Sequence, residues 1–268
     1  MSTKTIDRSG VGVLAGEGEL PLQLTRYCAD NEIPIAIVQF DMCDYGEFPI
    51  APILQTRIER VGEIFSFFKD NNVKNVVMIG NLQKPSFTSL RPDVRGLKTL
   101  TRIAKAFVSG DDSLLRALRI EIEKEGYNVR GVDYYLTQLT CKLGQLTKKK
   151  CDIDIRDATK ESLRYGTEDR GQSVLLHSDG TYSYETRTGT TALIDNEGRA
   201  GSVLVKMVKP QQDPDLDRPT VGMQTLIALK SKGCAGMVVE ADGVLLINQD
   251  EMINYANEHN LFIEGVNG

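Results

Sequence analysis

Residues 11–21 read VGVLAGEGELP, and this stretch decides the fold. Val11 to Ala15 form a short apolar run, and Gly16-Glu17-Gly18 break it. Pro21 follows in what would be the first turn of a helix, where its missing N–H costs nothing. A buried strand that enters a glycine turn and leaves as a helix opens a strand–helix–strand unit. Working outward, Ile33 to Phe40 predicts a second strand. Arg57 to Asp70 predicts an amphipathic helix with Ile58, Val61, Phe65 and Phe68 on one face, and Val73 to Ile79 a third strand ended by Gly80. Such alternation implies a parallel sheet with right-handed crossovers. Leu97–Val108 and Ser113–Lys124 predict two further helices, the second capped by Asp111 or Asp112. Tyr127 to Val132 reads as another strand.

The pattern breaks around Gly144–Asp152, where Lys148, Lys149 and Lys150 stand together. We place a linker at 144–153, an N-terminal domain at 1–143 and a C-terminal domain at 154–268. The second segment predicts a polar helix over Ile155–Tyr165. A hairpin follows, made of Ser173–His177 and Thr181–Thr186 around Ser178-Asp179-Gly180, because Asp-Gly between β-type runs is a strong turn signal. Gly201–Val208 reads as a strand, 209–219 as a polar loop, and Val221–Lys232 as a helix. Gly236–Glu240 and Gly243–Ile247 read as strands around a tight turn at Ala241-Asp242, followed by a helix over Gln249–His259 and a strand over Leu261–Glu264. The fold class is α/β: two α/β domains, the N-terminal one Rossmann-like with a parallel sheet, joined by a short linker.

Composition narrows the function. Over 268 residues, 32 Lys and Arg stand against 37 Asp and Glu, a net charge of −5, which argues against a nucleic-acid binder held by bulk positive charge. Trp is absent and aromatics are 6%, so stacked-base binding is not favoured. No apolar run reaches the roughly 18 residues of a membrane span, and the polar N-terminus lacks the apolar core of a signal peptide. A cytoplasmic protein is therefore expected. Cys28, Cys43, Cys141, Cys151 and Cys234 show no C-x-x-C spacing, which fits reduced thiols rather than a disulfide frame or zinc site.

Several segments carry chemistry. Gly16-Glu17-Gly18-Glu19 lies between a strand and a helix, where free N–H groups and the helix dipole favour an anion, and Asn81 would fall at the same sheet edge. Asp111-Asp112-Ser113 holds one carboxylate more than a cap needs, which allows a metal or ribose contact. Lys206 and Lys209 end a strand, and Asp213, Asp215 and Asp217 follow within five residues. Hard oxygen ligands beside lysines suit Mg²⁺ held together with phosphate. Each segment also has a plainer reading as a turn, a cap or a solvated loop.

Taken in order, GVLAGEGELP (12–21), LRPDVR (90–95), GDDSLL (110–115), DRGQSV (169–174), GSVLVKMVKP (201–210) and DRPTVG (217–222) resemble the LpxI-type UDP-2,3-diacylglucosamine pyrophosphatases of lipid A biosynthesis. The resemblance implies two α/β domains with substrate held between them. It also implies divalent-metal-dependent hydrolysis of UDP-2,3-diacylglucosamine to UMP and 2,3-diacylglucosamine 1-phosphate (lipid X). The acyl chains imply transient membrane-surface contact, at the cytoplasmic face of the inner membrane. Under this reading, Gly16, Glu17, Gly18, Glu19, Asn81, Asp111, Asp112, Ser113, Gln172, Thr190 and Lys209 would hold substrate. Thr191, Lys206 and Asp213 would occupy catalytic positions, and Asp169, Glu185 and Asp213 would hold Mg²⁺ or Mn²⁺. No nucleic-acid partner is expected, and a homo-oligomer is left open. The family's Glu-Gly-Thr-Asp motif, whose Asp matters for catalysis, here reads Thr188-Gly189-Thr190-Thr191, with Glu185 and Asp195 nearby. A relative that binds a nucleotide sugar or glycolipid without turnover is therefore the second reading.

Overall fold

The computed structural model describes residues 7–82, 90–109, 111–168 and 170–268, and the chain divides into two compact units. The first runs through Thr137 and includes Asp213–Asp217. The second comprises Gln138–Gln212 and Arg218–Gly268.

The first unit holds β1 (Gly10–Ala15), α1 (Glu19–Asp30), β2 (Ile35–Phe40), β3 (Ile53–Thr56), α2 (Val61–Asp70), β4 (Val73–Ile79), α3 (Val94–Ser109), α4 (Asp111–Lys124) and β5 (Asn128–Val129). The strands form one sheet in the order β3-β2-β1-β4-β5, every pair parallel. Parallel strands are covered on both faces and so read as continuous apolar runs. Val11, Val13, Ile37, Val38, Val76 and Val77 are fully buried, and Phe65 and Phe68 of α2 join Val38, Val76 and Leu216 in one core. β3 escapes sequence reading because it is a short edge strand with Ile53 44% exposed. α2 starts at Val61 rather than Arg57. The Asp93 carboxylate accepts the Gly62 N–H at 2.8 Å there, supplying from a distance the cap that Arg60 does not. Asp111 and Asp112 stand within the first turn of α4, not before it, so neither is the residue preceding the helix.

The second unit holds β6 (Gly144–Gln145), α5 (Arg156–Thr167), β7 (Ser173–Leu176), β8 (Tyr182–Tyr184), α6 (Gly189–Glu197), β9 (Val203–Lys206), β10 (Thr220–Val221), α7 (Met223–Ser231), β11 (Gly236–Glu240), β12 (Leu245–Leu246), α8 (Gln249–Glu258) and β13 (Phe262–Val266). Its main sheet runs β6-β13-β11-β9-β7-β8. The three central strands β13, β11 and β9 are parallel, whereas β7, β8 and β6 run antiparallel to their neighbours. One face packs Leu175, Leu204 and Met237 under α6, α7 and α8. The other packs Val174, Val203, Val205 and Val238 against Ala158 and Tyr165 of α5. The Asp-Gly hairpin forms as expected. Gly180 takes φ +82°, and His177 N–H donates to Thr181 O at 2.9 Å.

Three local features differ from the sequence reading. Gly144–Gln145, inside the expected linker, pairs with β13, and Lys149 Nζ donates to the carbonyls of Ala235 (3.1 Å) and Asn260 (3.0 Å). The lysine run is thus partly spent on satisfying main-chain oxygens of the second unit. Residues 189–197, to which the sequence reading assigns no element, form α6, and Gly189 adopts φ +88° at the helix start. Finally, β12 does not fold back on β11. Asp242 at φ 57° turns the chain away, and Leu245–Leu246 pairs parallel with Thr220–Val221.

Candidate functional site

A polar centre forms in each unit. In the first unit the strand order reverses between β1 and β4, the switch point at whose carboxyl ends parallel α/β sheets hold ligands. Gly16 N–H donates to Ile79 O (2.8 Å), Glu17 N–H to Asn81 O (2.7 Å) and Asn81 N–H to Glu17 O (2.9 Å), so the two loops are tied together. The approach requires glycine on both sides. A Cβ on Gly16 would lie 2.5 Å from Asn81 O, and one on Gly80, at φ +95°, 2.7 Å from Gly16 C. Gly18 (φ +111°) then turns the chain into α1, whose first turn has no side-chain cap. The Glu17 carboxylate accepts the Asp44 N–H at 3.2 Å. Tyr45 donates its hydroxyl to Ala15 O at 2.6 Å and accepts the Phe40 N–H at 2.8 Å, and burial pushes its ionisation well above the ordinary phenol range. Gly16, Glu17, Gly18, Glu19 and Asn81 are therefore brought together, as their spacing suggested. Asp111, Asp112 and Ser113 sit apart from them in sequence, in the first turn of α4.

In the second unit the centre forms at the carboxyl end of β9. The antiparallel register sets Ser173 of β7 opposite Lys206, the last residue of β9. Lys206 is 4% exposed and Glu185, just past β8, is 7% exposed. Thr190, in the first turn of α6, joins them. Lys206 Nζ donates to Thr190 Oγ1 at 2.9 Å, and Thr190 Oγ1 donates to Glu185 Oε1 at 2.6 Å. The Ser173 and Thr190 hydroxyls lie 3.1 Å apart. Glu185 Oε2 accepts the Gln172 N–H at 2.8 Å, and the Tyr165 hydroxyl donates to the Glu185 carbonyl. A buried ammonium is tolerated only with partners of this kind. Here a hydroxyl relays it to a carboxylate, and the first turn of α6, which carries Thr190, starts beside this cluster without a side-chain cap. The arrangement suits an anion with several oxygens.

Of the residues expected to act, Gln172, Glu185, Thr190 and Lys206 converge here. Lys209 follows in the loop, where its Cα lies 3.5 Å from the place a Cβ on Gly166 would take. Thr191 is exposed on the first turn of α6, with Asp195 exposed one turn further on. Asp169 lies outside the described residues. Asp213 belongs to the first unit, where Arg119 holds its carboxylate at 2.7 Å. Sequence reading passed over Ser173 and Tyr165. The hairpin signal at Asp179-Gly180 places Ser173 on β7, but its position opposite Lys206 comes from the β7–β9 register, which no local pattern shows. Among the described residues no three His, Cys, Asp or Glu side chains group to hold a metal ion. Both Glu185 oxygens already accept hydrogen bonds. This donor set does not form a closed cage for a divalent cation.

Fold and centres together define a two-domain α/β protein, parallel in its first unit and mixed in its second. Residues 10–139 match the LpxI N-terminal domain and residues 141–264 the LpxI C-terminal domain, so the chain belongs to the LpxI family. It is 30% identical over 271 residues to the UDP-2,3-diacylglucosamine pyrophosphatase LpxI of Caulobacter vibrioides. The alignment covers 96% of this chain and 97% of that protein.

Proposed function

We propose that this chain hydrolyses the pyrophosphate bond of UDP-2,3-diacylglucosamine, giving UMP and 2,3-diacylglucosamine 1-phosphate. Family membership across both domains supports the reaction class. The observation that carries the reading is Lys206, a buried cation at a strand end beside an uncapped helix start. Charge develops on phosphoryl oxygens in the transition state, so fixed cations and N–H dipoles supply much of the catalysis. Lys206 and Lys209 neutralise the pyrophosphate. Thr190 and Glu185 fix the Lys206 ammonium, and Gln172 and Ser173 hold those two in place. The Gly16–Glu19 turn and Asn81 contact the nucleotide-sugar half.

The reading includes dependence on Mg²⁺ or Mn²⁺. No described helix is long and apolar enough to cross a membrane. Association with the cytoplasmic face of the inner membrane then follows from the acyl chains of the substrate. A second reading, binding without turnover, is favoured by one observation: Thr191 presents a hydroxyl where the family motif has a carboxylate.

Purified protein incubated with UDP-2,3-diacylglucosamine and Mg²⁺ or Mn²⁺ decides between the two. UMP release that a chelator abolishes supports the hydrolase. Saturable binding with no UMP supports the second reading.

A further inference from the structure

The lysine run at 148–150 is part of a wider cationic edge. Residues 142–150 read KLGQLTKKK, four lysines and no carboxylate, in a chain whose net charge is −5. The segment lies along the edge of the second unit's main sheet, where β6 is the outermost strand. It is held there at several points. Gly144–Gln145 pairs with β13, Lys148 N–H donates to Asn257 Oδ1 of α8 at 2.7 Å, and Thr147 Oγ1 accepts the Ile263 N–H at 2.9 Å. Lys149 is spent on the carbonyls of Ala235 and Asn260.

The other three lysines are displayed rather than used. Lys142, Lys148 and Lys150 are exposed, and their ammonium groups make no hydrogen bond or ion pair with any described residue. Leu143 stands among them, 62% exposed. Asp152 follows the run, Asp154 is paired with Arg156, and Glu264, opposite Gln145 in the ladder, is half-buried. A fixed cationic edge that holds one exposed apolar side chain matches a surface that is anionic outside and apolar beneath. Lysine stems lie along apolar material while their charged ends stay with the headgroups, and a leucine between them reaches the acyl boundary.

We infer that residues 142–150 dock on an anionic phospholipid surface, with Lys142, Lys148 and Lys150 among the headgroup phosphates and Leu143 in the boundary below. The inference deepens the membrane association proposed above, on which it rests for the membrane concerned. It gives the protein a contact of its own, separate from the acyl chains of the substrate, and is tested with no substrate present.

Co-sedimentation of the full chain with vesicles of phosphatidylcholine, alone or mixed with phosphatidylglycerol, is the direct experiment. Each lysine near an anionic surface strengthens binding about fivefold, so the mixed vesicles bind about 100-fold tighter than the neutral ones. Lys148→Gln combined with Lys150→Gln costs about 25-fold, and Leu143→Ser about fivefold. Raising the salt from about 0.1 M to about 1 M shortens the screening length from about 10 Å to about 3 Å and removes most of the lysine share. All three side chains are exposed, so thermal melts of the variants match the parent and exclude misfolding. Equal binding to the two vesicles, or a double variant that binds as the parent does, overturns the inference. So does a single-stranded oligonucleotide bound as tightly as the mixed vesicles, with Leu143→Ser without effect on either, because the patch then takes any polyanion. In the hydrolysis assay with detergent-dispersed substrate the double variant keeps the parental kcat and KM. Vesicle binding without UMP release refutes the pyrophosphatase reading and leaves the docking surface standing. UMP release without vesicle binding does the reverse.

Discussion

Replacing Lys206 with Met tests the second centre most directly. Methionine keeps the unbranched stem and nearly the volume, so little packing is lost. What disappears is the ammonium that is 4% exposed and donates to Thr190 Oγ1 at 2.9 Å. A hydrogen bond from a charged group contributes about 1.5–3 kcal/mol. Glu185 keeps the Gln172 N–H and the Thr190 hydroxyl, so its carboxylate is not orphaned. Stability should therefore fall by about 2 kcal/mol, read as about 2–4 °C of melting temperature per kcal/mol. Loss of a cation aimed at developing oxyanion charge costs about 10²–10³ in kcat, or about 2.7–4 kcal/mol. The assay is UMP release with kcat and KM resolved, run beside a thermal melt. Thr190→Val and the double variant complete a cycle whose coupling should exceed about 0.5 kcal/mol, because the two groups touch. A folded Lys206→Met protein whose kcat lies within about threefold of the parent would falsify the assignment of Lys206 to the reaction.

Thr191→Asp places a carboxylate in the first turn of α6, where the helix dipole adds about 0.3–1 kcal/mol; UMP release should rise with it, and a rise in melting temperature alone would remove position 191 from the chemistry. Gly80→Ala forces a Cβ to 2.7 Å from Gly16 C at φ +95° and should destabilise the first unit by at least about 1–3 kcal/mol in urea denaturation, an effect absent if the two loops are free to separate. Burial, with the Arg199 charge second, holds the His177 pKa below its ordinary 6.5. The folded imidazole stays neutral while the unfolded one titrates near 6.5, so its contribution is fully present above that pH and is lost as pH falls through the folded value. His177→Gln should flatten the drop in unfolding free energy between pH 7.5 and 5, and an unchanged slope would clear this residue. Arg119→Ala removes the partner of Asp213 and should cost about 1 kcal/mol while speeding proteolysis between residues 207 and 217, so equal cleavage rates would show that the ion pair does not hold that segment.

The first unit was largely legible because fully buried parallel strands announce themselves as apolar runs, as at Val73–Ile79, which forms over the expected residues. β3 was not, because an edge strand half in solvent lacks that run. α6 was not read, because a nine-residue helix that opens on Gly-Thr-Thr carries little helix propensity in its first turn. In the second centre, Lys206 and Glu185 were legible as charged residues in suggestive places. Their linkage through Thr190 was not, because three elements must first take their register. The Asp-rich loop misled more seriously. Asp213 reads as a ligand beside Lys209, yet its carboxylate is spent on Arg119 of α4, a residue nearly a hundred positions away that no local pattern connects to it.

The allocation of Asp213–Asp217 to the first unit bears on how the protein can be made. Leu216 is part of the apolar interior beside Phe65 and Val76, Asp213 and Asp215 ion-pair with Arg119, and Asp215 accepts the Gly131 N–H. A ribosome that has released only the first 137 residues has thus delivered an unfinished domain, whose last core side chain emerges some eighty residues later. Expression of the N-terminal half alone, cut where the two family domains meet, should yield a fragment with an open seam. Engineered fragments of this chain need residues 213–217 restored, by fusion or as a peptide, before the first unit can close.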